Sequence, residues 1–203
     1  MMKKLLLLLL GLLSFGMQAQ IINFPDANFK SKLLEADVTN NIAKDVYGSS
    51  IKIDSNSNGE IEVEEAEPVS SLDISNSNIS TIEGIENFNL SKLNCSYNQL
   101  TSLDLKTNRF LGLLDCSHNS LSSLDVSNFP YLADFNCSYN SLTSVLLPNG
   151  YASDEDYNIS LFFNFNLSHN QISSLIVKNK CISNLDCSYN QLISLDFQDQ
   201  FKH

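Results

Sequence analysis

Two sets of side chains are spaced closely enough to do chemistry. The first is the run Asp54-Ser55-Asn56-Ser57-Asn58-Gly59-Glu60-Ile61-Glu62-Val63-Glu64-Glu65. Oxygen-bearing side chains at its first, third and fifth places, a Gly at the sixth and a Glu at the twelfth suit a hard cation that takes six to eight oxygens. Asp54, Asn56 and Asn58 would face one cavity, Gly59 permits the sharp turn, Glu60 offers its backbone carbonyl, and Glu65 closes the site with both oxygens. Ile61 would pin the loop to a core. The predicted cofactor is calcium, in a structural role. Two of the three inner side chains are neutral amides, which sets an affinity of about 10⁻⁴ to 10⁻³ M. The plain alternative is an Asn/Asp/Gly-rich turn leading into a short helix stopped by Pro68. Ile51-Lys52-Ile53 alternates like a strand rather than an entering helix, and no second loop of this kind follows.

The second set is Asp115, Ser117 and His118, types that a hydrolase uses. Here Ser and His are neighbours on one strand, and the same Ser recurs along the chain, mostly beside a Tyr. Catalysis needs one singular constellation rather than a copied one. No enzyme is expected. His118 and His169 lie two repeats apart, about 10 Å by strand spacing, too far to share a metal.

Those residues belong to a unit of about 21 residues that comes back nearly letter for letter: Leu93-Asn94-Cys95-Ser96-Tyr97-Asn98-Gln99-Leu100 returns at 114–121, 135–142 and 185–192. A fixed period of this length means a solenoid. From Val69 the units are Val69-Leu72-Ile74-Ile79, Leu90-Leu93-Cys95-Leu100, Leu111-Leu114-Cys116-Leu121, Leu132-Phe135-Cys137-Leu142, Phe162-Phe165-Leu167-Ile172 and Ile182-Leu185-Cys187-Leu192. Asn98, Asn119, Asn140, Asn170 and Asn190 hold one turn position, and Ser77 replaces the Asn in the first unit. Inside a coil, such an Asn donates to and accepts from backbone groups that the bend leaves unpaired. The second apolar pair, Leu103-Leu105, Leu124-Val126, Val145-Leu147, Leu175-Val177 and Leu195-Phe197, has period two, so the returning side is predicted to be extended.

On these residues the chain resembles secreted and surface bacterial leucine-rich repeat proteins, internalin-like in general plan, with an EF-hand-like N-terminal cap. The resemblance spans about residues 21–197. It implies a leucine-rich repeat solenoid, β-rich, with parallel strands stacked coil on coil behind a small α-helical calcium-loop cap. One coil would bury about five apolar side chains at roughly 1.5 to 3 kcal/mol each. Ordering it costs roughly 1 to 2 kcal/mol for every residue, so coils fold only as a stack. The predicted organisation is a signal peptide at 1–19, a cap at 20–68 with a short helix near Phe29 and Leu33, six repeats at 69–197 with an insertion at 148–161, and a tail at 198–203.

Residues between the buried ones on each strand point to solvent. They form three rows on the concave face: Asp73, Asn94, Asp115, Asn136, Asn166, Asp186; the Ser row from Ser75 to Ser188; and Asn76, Tyr97, His118, Tyr139, His169, Tyr189. Tyr among small polar groups makes good contact chemistry. The ligand-binding set is therefore Asn94, Tyr97, Asp115, His118, Asn136, Tyr139, Asn166, His169, Asp186 and Tyr189. Simple copying of a stable strand sequence accounts for the same rows.

Composition bounds the partner. The formal charge is −11, and removing Lys3 and Lys4 with the signal peptide gives −13. An acidic chain without a basic cluster binds neither nucleic acid nor an anionic membrane. The short apolar run 5–17 behind two Lys marks export rather than a membrane anchor. Cys95, Cys116, Cys137 and Cys187 share one repeat position and read as small buried hydrophobes rather than disulfides. Cys181 falls outside the pattern and is the candidate reactive thiol. The expected function is a secreted or cell-surface scaffold that binds a protein or glycan. The alternative is a structural or truncated repeat protein that self-associates through its C-terminal coil at Leu195 and Phe197, with no dedicated ligand.

Overall fold

The computed structural model describes residues 19–148, 163–178 and 182–198. All but the last residue of the expected signal peptide, most of the insertion and of the tail, Phe162 and Cys181 lie outside them. The cap begins with helix α1, Ala27–Leu34, which starts at Asp26 because that side chain accepts from the N–H groups of Asn28 and Phe29. It buries Phe29 and Leu33. Strand β1, Ala43–Lys44, and helix α2, Val63–Ala66, complete the cap. Ile51-Lys52-Ile53 forms no strand, although Ile53 is buried.

The repeats supply strands β2, Ser71–Asp73; β3, Lys92–Asn94; β4, Leu113–Asp115; β6, Asp134–Asn136; β8, Phe163–Asn166; and β10, Ile182–Asp186. With β1 they make a seven-stranded sheet in the order β1-β2-β3-β4-β6-β8-β10. β1 pairs antiparallel with β2, and the five later pairings are parallel. Register holds from β2 to β8, with Leu72, Leu93, Leu114, Phe135 and Phe165 opposite one another and buried, and shifts once, between Ile182 and Asn184, where β10 joins. Behind them runs a second buried column, Ile74, Cys95, Cys116, Cys137 and Leu167. The three Cys thiols there are free, and burial pushes each well up from its ordinary value.

The returning side is less regular than its period-two pattern predicts. β5, Ser123–Asp125, pairs with β7, Ser144–Leu146, and β9, Ser174–Val177, with β11, Ser194–Phe197. The first two coils return without a strand: Ile85–Asn87 is a 3₁₀ turn, and Leu103-Thr107 has no regular structure although Leu105 is buried. The cause at the first coil is the joint with the cap. Gly84 takes φ +103, and a Cβ there would meet the Phe24 ring at 2.6 Å. Phe24 in turn packs edge-on to Phe29 at 5.4 Å. The first coil thus bends to receive an aromatic wedge, and α1 closes the open end of the stack.

Asp26 fastens the same joint from its other side. Besides capping α1, its second oxygen accepts from the N–H and Oγ of Ser80, both at 2.7 Å, and from the N–H of Thr81. Burial pushes this carboxyl up, but the hydrogen bonds from Ser80, Phe29 and Thr81 outweigh it and hold it down at about 2.

Candidate functional site

Each strand ends in a turn built by two adjacent residues. The inner one is the Asn. Asn98 Nδ2 donates to the carbonyls of Ile74, Cys95 and Ser96, while its Oδ1 accepts from the N–H groups of Ser77 and Ile79. Asn119 donates to Cys95, Cys116 and Ser117 and accepts from Leu100 N–H. The Cys95 carbonyl therefore receives two amides, from its own coil and from the next. Cys116, Cys137 and Leu167 repeat this. The network bears out the role expected of these Asn residues and stitches each coil to its successor.

The outer residue departs from expectation. Tyr97, His118, Tyr139, His169 and Tyr189 are not strand residues: their φ values are 55, 53, 54, 55 and 52°, in the left-handed region. For bulky side chains this costs about 1 to 2 kcal/mol each. Their rings stack in one column, with centroids 4.0, 4.3, 4.0 and 4.2 Å apart and planes within about 10°. Each inner ring has both faces covered by its neighbours, which offsets the backbone cost by about 0.5 to 1.5 kcal/mol per pair. Ring edges, hydroxyls and imidazole nitrogens remain for contact; the faces of the inner rings do not.

The Ser row is also corrected. Ser96, Ser117, Ser138 and Ser168 are buried rather than solvent-facing. Each Oγ donates to the side chain two residues back: Asn94, Asp115, Asn136 and Asn166, at 2.6 to 2.8 Å. Only Ser188, in the last described coil, is exposed. There, hydrogen bonds from Ser188 hold the Asp186 carboxyl below the usual range. For the hydrolase-like set this geometry decides the matter: Ser117 donates to Asp115, while His118 is held between Tyr97 and Tyr139. No nucleophile-to-base pair forms there.

Two outward rows remain on the sheet. One is Asp73, Asn94, Asp115, Asn136, Asn166 and Asp186, as expected. The other went unnoticed in the sequence because its letters differ in every repeat: Lys44, Ser71, Lys92, Leu113, Asp134 and Asn164 stand opposite one another in register. A shallow cavity of about 260 Å³ opens over Asp115, Asp134, Asn136, Asn164 and Asn166. A second, of about 440 Å³, opens over Lys44, Asp45, Ser71, Asp73, Lys92 and Asn94, and Val46 and Gly48 also line it. Leu113 lines both.

The 54–65 loop belongs to the cap, where the Ile22 N–H donates to the Ile61 carbonyl. Asp54 Oδ1 and Oδ2 accept from the N–H groups of Asn58 and Gly59, Asn56 Oδ1 from Asn58 N–H, and Asn58 Oδ1 from Glu60 N–H. Gly59 has φ +81, and Ser57, at φ 62, shares the tight turn. Glu65 reaches back so that Oε1 accepts from Ser55 and Asn56 N–H. The Glu60 side chain pairs with Lys30 of α1 at 2.7 Å, tying loop to helix and leaving the Glu60 role to its carbonyl. Glu62, buried, faces the amide nitrogens of Asn56 and Asn58. Among the described residues, no group of three or more His, Cys, Asp or Glu side chains is arranged to hold a metal ion. The oxygens that the calcium reading needs come instead from two carboxylates, two amides and a carbonyl. First, third, fifth and twelfth positions do fold toward one another, which fits that donor set.

Parallel strands stacked at a 21-residue period, with Asn in every turn but the first, define a leucine-rich-repeat-like β-solenoid. No protein-family profile and no curated protein matches the chain. Among solved structures, the functional domain of InlJ from Listeria monocytogenes, whose structure includes a cysteine ladder, is similar at 27% identity and a TM-score of 0.58. That match covers 88% of this chain and 40% of the InlJ chain. An internalin, InlF, also from Listeria monocytogenes, matches at 18% identity with a TM-score of 0.48, over 88% of this chain and 61% of its own. The chain thus spans less than two thirds of either relative. It is similar to InlJ in fold, and its column of Cys95, Cys116 and Cys137, broken by Leu167 and resumed at Cys187, stands at one repeat position. No helix among the described residues is long and apolar enough to cross a membrane.

Proposed function

We propose that this chain is a non-enzymatic binding scaffold of a secreted or surface protein, and that it recognises a partner protein through the outward face of its seven-stranded sheet. The observation that carries this reading is the face itself. Asn94, Asp115, Asn136 and Asn166 are half-buried, and Asp134, Asn164 and Asp186 are exposed; all stand in fixed register on a stitched sheet. Such preorganised polar groups lose little entropy on binding. Tyr97, His118, Tyr139, His169 and Tyr189 flank that face and contribute edges and polar tips. A glycan that needed to stack on aromatic faces would find the inner ones taken. The test is capture of a partner by the mature chain, followed by Asn136→Ala and Asn166→Ala. Loss of capture with an unchanged melting temperature is expected; capture lost instead on Tyr97→Ala and Tyr139→Ala would move the interface to the aromatic column.

Calcium belongs to the same proposal as a structural ion of the cap, held by Asp54, Asn56, Asn58, the Glu60 carbonyl and Glu65. The support is the fold-back of Glu65 onto the start of the loop. Millimolar calcium should raise the melting temperature of the wild type and not that of Asp54→Ala. A flat titration in the wild type overturns it. Self-association is the second reading, favoured by the exposure of Leu195 and Phe197 on β11. Concentration-dependent sedimentation abolished by Leu195→Lys and Phe197→Lys would establish it.

A further inference from the structure

The geometry points to Lys44, Ser71 and Lys92 as a carboxylate clamp for an acidic side chain of the partner protein, a reading that rests on the sheet face being the interface. The three residues stand side by side across β1, β2 and β3, Lys44 opposite Ser71 and Ser71 opposite Lys92. Adjacent strands lie about 4.8 Å apart, so two flexible ammonium groups flank one hydroxyl across about 10 Å. All three line the larger cavity.

These donors are also free. Elsewhere in the cap and first coils, Lys30 pairs with Glu60, Lys32 with Glu35 and Lys106 with Asp104, while Lys52 donates to Ser57 Oγ. Lys44, Ser71 and Lys92 make no side-chain hydrogen bond or ion pair among the described residues, though the chain carries 23 acids to 12 basic residues. Asp45 and Asp73 share the cavity, but Asp45 Oδ1 accepts from the Tyr47 and Ser49 N–H groups and Asp73 Oδ1 from the Ser75 N–H and hydroxyl.

The next member of the row decides the class of ligand. Leu113 stands opposite Lys92 and lines the same cavity, putting an apolar contact one strand beyond the clamp. An acidic residue beside an apolar one satisfies both, whereas an acidic sugar would set hydroxyls against the Leu113 side chain. Past Leu113 the row turns acidic at Asp134. This row is thus polarised, cationic at Lys44 and Lys92 and anionic at Asp134, which gives a docked segment one orientation.

The test uses the mature chain with its lysines ¹³C-dimethylated, a change that keeps their charge, and follows their methyl signals by NMR. The probes are acetyl-Glu-Leu-amide, acetyl-Gln-Leu-amide and glucuronate. The Lys44 and Lys92 signals, assigned by Lys44→Gln and Lys92→Gln, should move together with the Glu probe, which binds about fivefold more tightly than the Gln probe. Each substitution should remove most of that preference at an unchanged melting temperature. Equal response to the two peptides, or no displacement at the highest soluble concentration, overturns the clamp. Glucuronate binding as tightly as the Glu probe overturns the peptide assignment. The clamp and the face fail separately. Partner capture lost in Asn136→Ala with a charge-blind clamp overturns the clamp alone. A charge-selective clamp with capture indifferent to Asn136, Asn166, Lys44 and Lys92 changes overturns the sheet-face reading, and with it the protein partner.

Discussion

Tyr97 and Asn98 are neighbours in the chain, copied together through later coils, yet they build two different ladders. The inner ladder, Asn98 to Asn190, is held by directed hydrogen bonds that engage both the nitrogen and the oxygen of each Asn side chain. The outer ladder, Tyr97 to Tyr189, is held by ring stacking on residues of unfavourable backbone conformation. A buried amide has no substitute in its place, because the groups it satisfies cannot reach water. An exposed ring can be lost with its hydroxyl and edges already solvated. The same copying thus yields a column that is indispensable to folding and a column that is merely favourable to it.

The largest effect that separates them is expected at Asn119. Asn119→Leu strands the Leu100 N–H and removes amides from Cys95, Cys116 and Ser117, and should cost about 3 kcal/mol or prevent folding. Ser120→Ala, one residue on and exposed, should stay within about 0.5 kcal/mol; chemical denaturation of both decides it. Equal effects would break the distinction.

Next comes the cap, where a single carboxylate plays the part of the inner ladder. Asp26→Asn should cost about 2 kcal/mol at neutral pH, from a carboxyl held at about 2 against an ordinary 3.8. Its folded pKa lies below its unfolded one, so the contribution is fully present above about pH 4. It fades as pH falls toward 2. Acid unfolding should therefore narrow the gap between wild type and Asp26→Asn, and a gap that stays constant down to pH 2 would reject the linkage.

Tyr139→Ala removes two ring pairs and relieves nothing, since Ala tolerates positive φ no better, and should cost about 1 kcal/mol. Tyr139→Gly, which frees the backbone, should lie closer to wild type, and thermal melts of the pair separate stacking from backbone strain. The smallest perturbation is chemical rather than genetic. In the folded protein a thiol reagent should modify half-buried Cys187 while sparing Cys95, Cys116 and Cys137, whose burial pushes ionisation up. Mass spectrometry of the labelled peptides reads the order.

Much of this was legible in the letters. Leu, Cys and Asn at fixed offsets foretold the buried columns, the parallel stack and the role of Asn98 and its copies, because burial and hydrogen-bond satisfaction act on residue type at a given period. The Ser row and the Tyr/His row depart from the strand pattern for one reason. Strand alternation stops where the strand ends, at Asn94 in its coil, and a left-handed residue at Tyr97 leaves no mark in hydropathy. The row from Lys44 to Asn164 is invisible in the period for the opposite reason, since its residues vary from coil to coil while the repeat marks only what is copied.

The sequence by itself determined that the chain winds at 21 residues, what fills its core and which residue closes its turns. Each coil must bury the same apolar set, and only stacking does so. Tertiary structure alone decided that Tyr97 and its successors would cover one another's faces, that Gly84 would yield to the Phe24 ring, and that Lys44 of the cap would stand in line with Lys92. Those outcomes depend on distances between residues far apart in the chain, where neither composition nor period carries information.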